Sequence, residues 1–294
     1  MRSLELAIKY LAGERLIGTA AERAALTSNA DLNYTSILGS PYSPEFFLKL
    51  NEGSGTALAQ SGSAGHTASL SAGSQWTWSD GVMANSKSLK SVGTGNTYAI
   101  THSQLATESD DPFTLGITIK IPTNWTGGDA NNHHVWKWNN SGLGLWQMNL
   151  TNAGYISMGY YDGGAWQHIT GSTDIMDNAW HTWFFTMATN GGVKGYVDGT
   201  QDFSGTEDRS GYGGNDVDWF GNSGGNSTDI MYIDNLFFKP ATMSASDISD
   251  LHDLLIPSNT SAVYPNLSNG TIFEESDTGK HYMFDGTSSW NEVT

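Results

Sequence analysis

The sequence predicts an all-β protein built as an antiparallel two-sheet sandwich. Three observations carry this prediction. Short segments alternate apolar and polar residues at period two, the spacing of a half-buried strand. Glycine is abundant, 35 in 294 residues, and gathers with Ser, Asn and Asp between those segments, as turns between many short strands require. Residues 180–199 read as a complete hairpin. Trp183, Phe185 and Met187 fall on one side of its first strand, with Thr182, Phe184 and Thr186 on the other. Thr189-Asn190-Gly191-Gly192 then tolerates positive φ, as a hairpin turn needs. A lone hairpin is marginally stable, so this one must belong to a larger sheet. Trp183 is bulky and Gly195 of the return strand is small. The two are expected to compensate in volume across one sheet face.

In chain order, residues 1–12 read as an amphipathic helix with Leu4, Ile8 and Leu11 on one face. Gly13 interrupts it, and Thr19 with Glu22 forms a capping box for a second short helix over 20–27. Residues 28–44, with Pro41 and Pro44, read as a linker. Strands are predicted over 46–50, 68–70, 75–78, 88–92, 98–101, 113–121, 135–139, 144–150, 155–161 and 166–171, ahead of the hairpin. After it come a Gly/Asp/Ser-rich loop over 200–228, holding a brief strand over 217–220, and a longer strand over 230–238. Pro240 stops that strand and Ser244 caps a helix over 245–255. Beyond Pro257 and Pro265, strands are expected around Phe273, around Tyr282 and Phe284, and at Trp290. The expected organisation is a helical arm and linker (1–44), a sandwich domain (45–255) and a small C-terminal β module (256–294).

Thirteen Lys and Arg stand against 30 Asp and Glu, a net charge of −17. Such a surface repels nucleic acid. Without cysteine there is neither a disulfide nor thiol chemistry. No apolar run reaches the length of a membrane span, so no membrane insertion is expected. Lys9, Glu14 and Arg15 break the N-terminal apolar stretch, which is read as no signal peptide.

WHTWFFTMATNGGVKGYVDG (180–199) resembles the central hairpin of laminin-G-like domains, members of the concanavalin A-like lectin and glucanase fold. FFLKLNEGSGTALAQSGS (46–63), DDPFTLGITIKIP (110–122) and MYIDNLFFKPATMSASDISDLHD (231–253) are similar to that family's opening strand, an inner strand and its closing strand with helix, in the same order. The resemblance implies a two-sheet antiparallel jelly roll. GTIFEESDTGKHYMFDGTSSWNEV (270–293) resembles a short β module at the ends of tailed-virus structural proteins. AIKYLAGERLIGTAAERAAL (7–26) is similar to the start of such proteins. Together these imply a protein of a phage or archaeal virus: a capsid decoration, turret or fibre component on the virion exterior. Its expected partners are other virion proteins, further copies of itself by symmetry, and host-surface glycans. Leu4, Ile8 and Leu11 form the expected assembly interface, because an unpartnered apolar stripe marks a contact surface. A brace within the chain is the alternative for this arm. A free or cell-surface carbohydrate-binding protein and a glycoside hydrolase are the alternative functions.

Hydrolysis needs a pair of carboxylates facing one sugar. Asp216 and Asp218 alternate but lack a third acid, and Glu274 and Glu275 are adjacent, so they face opposite sides of a strand. No catalytic residue is therefore assigned. The family resemblance implies a Ca²⁺ held by Asp234 on the closing strand and by the loop carrying Glu52, through oxygen ligands. Asp234 as a plain hydrogen-bond acceptor is the other reading. The adjacent His133 and His134 read as solvated, and His181 as structural. Sugar binding needs aromatic faces amid amides and carboxylates. Three groups offer them: Trp125, Asp129, Asn131 and Asn132; then Tyr161, Asp162 and Trp166; then Tyr212 and Asp216. Most of the 11 Trp residues are expected in the core.

Overall fold

The structure is a computed structural model and describes residues 16–18, 37–63, 68–70, 76–82, 86–91, 100–102, 112–125, 133–140, 143–161, 165–189, 191–206, 218–220, 231–256, 270–284 and 290–293. The early strands are β1 (Leu16–Gly18), β2 (Phe46–Leu48), β3 (Ala57–Leu58), β4 (Ala68–Leu70), β5 (Trp76–Asp80), β6 (Lys87–Ser91) and β7 (Ile100–His102). The middle of the chain forms β8 (Phe113–Lys120), β9 (His133–Asn140), β10 (Leu143–Leu150), β11 (Tyr155–Tyr161), β12 (Trp166–Asp174), β13 (Trp180–Met187), β14 (Gly192–Val197) and β15 (Thr200–Thr206). Then follow β16 (Asp218–Phe220), β17 (Tyr232–Lys239), helix α1 (Ala245–Leu255), β18 (Ile272–Glu275), β19 (His281–Phe284) and β20 (Trp290–Val293). The chain divides into two units. The larger holds 37–82 and 86–256, and the smaller holds 1–36, 83–85 and 257–294.

The larger unit is an all-β jelly roll of two antiparallel sheets. One sheet runs β15-β14-β13-β8-β17-β6-β5, with β2 added on β17; the other runs β12-β11-β10-β9-β16-β7-β4-β3. Leu115, Ile117 and Ile119 of β8, Trp183 and Phe185 of β13, and Ile233 of β17 meet Met148, Ile156 and Met158 of the opposite sheet in one core. The first sheet also buries its outer face. Phe184 and Phe237 pack edge to face at 6.1 Å, and Phe237 meets Phe47 at 6.5 Å. Ile248, Leu251 and Leu255 of α1 are buried as well. The helix begins where the sequence predicts: Ser244 Oγ accepts from the Asp247 N–H at 3.1 Å, and Asp247 Oδ2 accepts from the Ser244 N–H at 3.3 Å. That reciprocal pair satisfies two donors at the helix start. Asp202 of β15 joins the sheet edges. Its Oδ1 accepts from the Thr173 N–H at 3.1 Å and the Thr173 hydroxyl at 2.7 Å, both on β12.

The hairpin β13–β14 forms as predicted, but its volume compensation is different. Register pairs Trp183 with Val197 and Phe185 with Gly195. On its other side Gly195 pairs with Phe203 of β15. A Cβ at Gly195 would lie 2.1 Å from Phe203 Cε1. The ring that fills the space above Gly195 therefore comes from the third strand, not from Trp183.

In the smaller unit, β18, β19 and β20 form an antiparallel meander, and β1 pairs with β18 in parallel, Leu16 opposite Phe273. Buried Phe273 and Phe284 pack on the Trp290 ring, at 5.8 and 5.1 Å between centroids. Glu275 is buried and accepts from the Thr278 hydroxyl, which closes the turn before β19. Leu16–Gly18, which falls between two expected helices, is thus a strand. The two helices and the Leu4, Ile8 and Leu11 stripe lie outside the described residues.

Replacing Gly195 with Leu drives the new side chain into the Phe203 ring and is expected to destabilise the fold by roughly 1–3 kcal/mol. Denaturant melts of Gly195→Leu, Phe203→Ala and the double variant should show the double losing less than the sum of the singles.

Candidate functional site

Residues paired directly across antiparallel strands share a face. In the second sheet, Met148 pairs with Met158 and Met158 with Ile169, on the core side. The opposite face is polar. Gln147 pairs with Gly159 and Gly159 with His168; one step along, Asn149 pairs with Ser157 and Ser157 with Thr170. The Gln147 row continues through Lys137, Trp219, Thr101, Ser69 and Ala57, so it crosses every strand of the sheet. Tyr161 and Trp166 pair at the next register step.

The centre of this face is built with care for polar contacts. Thr170 Oγ1 donates to Ser157 Oγ at 3.1 Å. Asn149 is 0% exposed, yet neither its Nδ2 nor its Oδ1 has a hydrogen-bond partner. An unpaired buried amide is costly, about 1–3 kcal/mol per group. Gly159 leaves room for its neighbours: a Cβ there would lie 2.7 Å from Asn149 Nδ2 and 3.1 Å from His168 Nδ1. Desolvation holds His168 below the usual imidazole pKa, which favours the neutral ring, one nitrogen donating and the other accepting. The described side chains here are amides, hydroxyls and an imidazole. They match a neutral, polyhydroxylated ligand.

Of the residues singled out for glycan contact, Tyr161 and Trp166 are register partners on β11 and β12. Trp125 does not join them: it is 5% exposed and packs in the core, so its ring offers no free face to a sugar. Asp129, Asn131, Asn132, Asp162, Tyr212 and Asp216 lie outside the described residues. Sequence reasoning missed Gln147, Asn149, Ser157 and His168. Their signal is the polar half of period two in β10, where Gln147 and Asn149 alternate with Trp146, Met148 and Leu150.

A second polar cluster surrounds Asp234, which is fully buried on β17. Its Oδ2 accepts from the Val82 N–H at 3.0 Å and its Oδ1 from the Asn235 N–H at 2.8 Å. Burial raises its pKa well above the carboxylate range, and the charge of Glu52 adds to this. Glu52 Oε1 accepts from the Ala59 N–H at 2.6 Å, while its buried Oε2 has no partner. Asn235 sits at φ 46°, and its side-chain oxygen and nitrogen are buried without partners too. A buried acid, Asp234, beside a half-buried one, Glu52, whose Oε2 is free, suits a hard cation with oxygen ligands. Among the described residues, no group of three or more His, Cys, Asp or Glu is placed to hold a metal. Backbone and amide oxygens would have to complete such a shell.

The sequence matches no family model and no curated protein. The fold has many solved counterparts. The binding domain of Paraclostridial Mosquitocidal Protein 1 aligns at 15% identity and TM-score 0.60, covering 85% of this chain and 67% of that one. The receptor-binding domain of the botulinum neurotoxin C/D mosaic serotype aligns at 15% identity and TM-score 0.56, over 72% and 51%. The botulinum neurotoxin D ligand-binding domain in complex with N-acetylneuraminic acid aligns at 14% and 0.56, over 78% and 52%. The chain thus spans about half the length of these botulinum domains. At such identities the likeness is one of fold: the jelly roll read from the sequence is also that of toxin binding domains.

His181, expected to be structural, is clamped at both ring nitrogens. Nδ1 lies 2.7 Å from Asp198 Oδ2 and Nε2 lies 3.0 Å from Asp177 Oδ1. Burial alone would lower its pKa, but the hydrogen bonds and charges of Asp198 and Asp177 outweigh it and raise the pKa to about 9. Beside it, burial lowers His252, whose Nδ1 meets Thr182 Oγ1 at 2.8 Å. The folded pKa of His181 lies above the unfolded value. Its stabilisation is therefore complete below about pH 6.5 and is lost as pH rises through about 9. Thermal melts across that window should show a decline worth roughly 2–3 kcal/mol. His181→Gln should start lower and flatten the curve.

Proposed function

We propose that this chain is a non-catalytic, lectin-like protein of a virion exterior, binding host-surface glycans through the polar face of the β12-to-β3 sheet. The observation that carries this reading is Asn149. Asn149 is a buried amide with neither hydrogen bond made, a destabilising feature that a packed apolar residue would remove; a ligand docking on the exposed His168 and Thr170 beside it would satisfy it once those side chains move aside. Gln147, Ser157 and His168 stand around it, with Tyr161 and Trp166 one register step away. The fold likeness to toxin receptor-binding domains, one of them carrying a bound sugar acid, supports a recognition role. The face presents amides and an imidazole where a glycosidase would need two carboxylates, which supports a role without catalysis. The resemblances of 7–26 and 270–293 to tailed-virus structural proteins support the virion setting, as a capsid decoration, turret or fibre component repeated by symmetry.

The test is a glycan array probed with wild type and Asn149→Leu. Wild type should bind a restricted set of glycans. The variant should lose that binding about tenfold or more while its melting temperature holds or rises. Equal binding by both proteins would move the site elsewhere. Mass spectrometry of purified particles should detect the chain; a lectin recovered only free of particles would favour the carbohydrate-binding alternative outside a virion.

The Asp234 and Glu52 pair is proposed to hold Ca²⁺. Binding to the folded state alone raises stability by mass action. Scanning calorimetry should show a melting temperature that rises with CaCl₂ and returns with EDTA. In Asp234→Asn that response should vanish, and stability without calcium should fall by about 1–3 kcal/mol, because the amide Nδ2 then faces one of the two backbone N–H donors that Asp234 accepts from.

A further inference from the structure

We infer that a second small-ligand site, separate from the polar sheet face, lies on the outer side of β13, β14 and β15, and that it takes a monoanionic, hydroxylated ligand of sugar-acid type. A groove of about 600 Å³ lies there, walled by the strands on one side and by residues 242–245 leading into α1 on the other. Its floor follows from register. Lys194 on the middle strand pairs with Thr186 on β13 and with Ser204 on β15, and Gly192 pairs with Thr206. Alternation sends Val193 into the core and leaves Lys194 exposed.

The charge arrangement is unusual for this chain. Acids outnumber bases 30 to 13, so a lysine should find a carboxylate easily. Lys87 pairs with Asp80 and Lys280 with Glu292. Lys90 and Lys120 sit over the Tyr232 ring, and Lys239 donates to the Pro41 carbonyl. Lys49 is engaged too. Among the described residues, Lys194 has no such partner, and no Asp or Glu lines its groove. The hydroxyls around it divide into two groups. Thr242 Oγ1 already donates to the Met187 carbonyl at 2.6 Å, Ser244 is used in the helix cap, and Thr186 is bonded to Tyr196. Ser204 and Thr206 are exposed, and their hydroxyls bond to no described residue.

These features select the ligand. A groove of this size falls in the range for small molecules. A single ammonium balances one negative charge. A phosphate dianion is better served by an arginine fork or several cations. The two exposed hydroxyls of Ser204 and Thr206 offer hydrogen bonds to a polyhydroxylated ring. A carboxylate on such a ring meets every group present.

The experiment is an amide NMR titration of the full chain with sodium D-glucuronate, methyl β-D-glucoside and sodium acetate. Glucuronate should shift the amides of 192–194, 204–206 and 242–245 in a saturable way that weakens with added salt. The neutral glucoside and acetate should each bind about tenfold or more weakly. Lys194→Ala should weaken glucuronate by about tenfold, and Lys194→Arg should retain most of the affinity. Shifts confined to 147–170, a glucoside that binds as well as glucuronate, or a Lys194→Ala variant with wild-type affinity would each overturn the proposal. Asn149→Leu should leave this titration unchanged, so failure of the sheet-face reading and failure of this one are distinguishable.

Discussion

Strand β8 must be covered on both of its faces, and the rest of the larger unit depends on that. Its sequence FTLGITIK is buried at every residue but the last. Four large apolar side chains face one way, and Thr114, Gly116 and Thr118 face the other. The first set demands a second sheet; the second demands thin cover. Gly116 shows how tight that cover is, since a Cβ there would lie 2.1 Å from Phe184 Cε1. The Phe47, Phe184 and Phe237 rings therefore lie close over the backbone, and α1 adds its own buried face. Two sheets with a helix behind one of them is the layered solution to that demand. It leaves only the far sheet with a face free of any apolar obligation.

That freedom explains where polar chemistry gathers. In the far sheet, β10 and β11 put Met148, Leu150, Ile156 and Met158 into the core. Their alternate positions hold Gln147, Asn149 and Ser157, which pack as tightly as core residues although they are polar. The outer face of the near sheet is different. It is apolar where α1 and the phenylalanines sit, and it turns polar only toward β14 and β15, where Lys194 emerges. The two polar surfaces thus arise from one rule of alternation acting on two sheets with different neighbours.

Much of this was legible in the sequence. The alternation in 113–121 and 181–187 is unbroken, and Ser244 with Asp247 reads directly as a helix start. The cis or trans state of a bond, or a bulge, leaves no comparable mark: Asn235 in the left-handed region shifts the register between Asp234 and Phe237, and nothing in IDNLFF announces it. Pairing partners were hidden for the same reason. The residue above Gly195 is set by β15, a strand in a stretch whose Gly, Asp and Ser read as loop. An aromatic amid amides and carboxylates reads as a sugar platform even where the core claims it, as at Trp125. The amides of β10 carry no such mark, because a polar residue in an alternating strand looks like an ordinary solvent-facing one. Only burial without a partner marks Asn149 as different.

The parallel pairing of β1 with β18 has a consequence for how the chain is made. Leu16 meets Phe273 and Gly18 meets Glu275, so nearly the whole sequence lies between the two halves of one ladder. On the ribosome, which delivers the chain from its N-terminus, residues 16–18 emerge early and find no strand to join. All the jelly-roll strands are synthesised before Ile272 exists. The small sheet can close only after the large unit has had its chance to fold, and the closing loop runs from Gly18 to Ile272. Such a contact forms late, and until it does, a three-residue strand waits with its backbone donors and acceptors facing water.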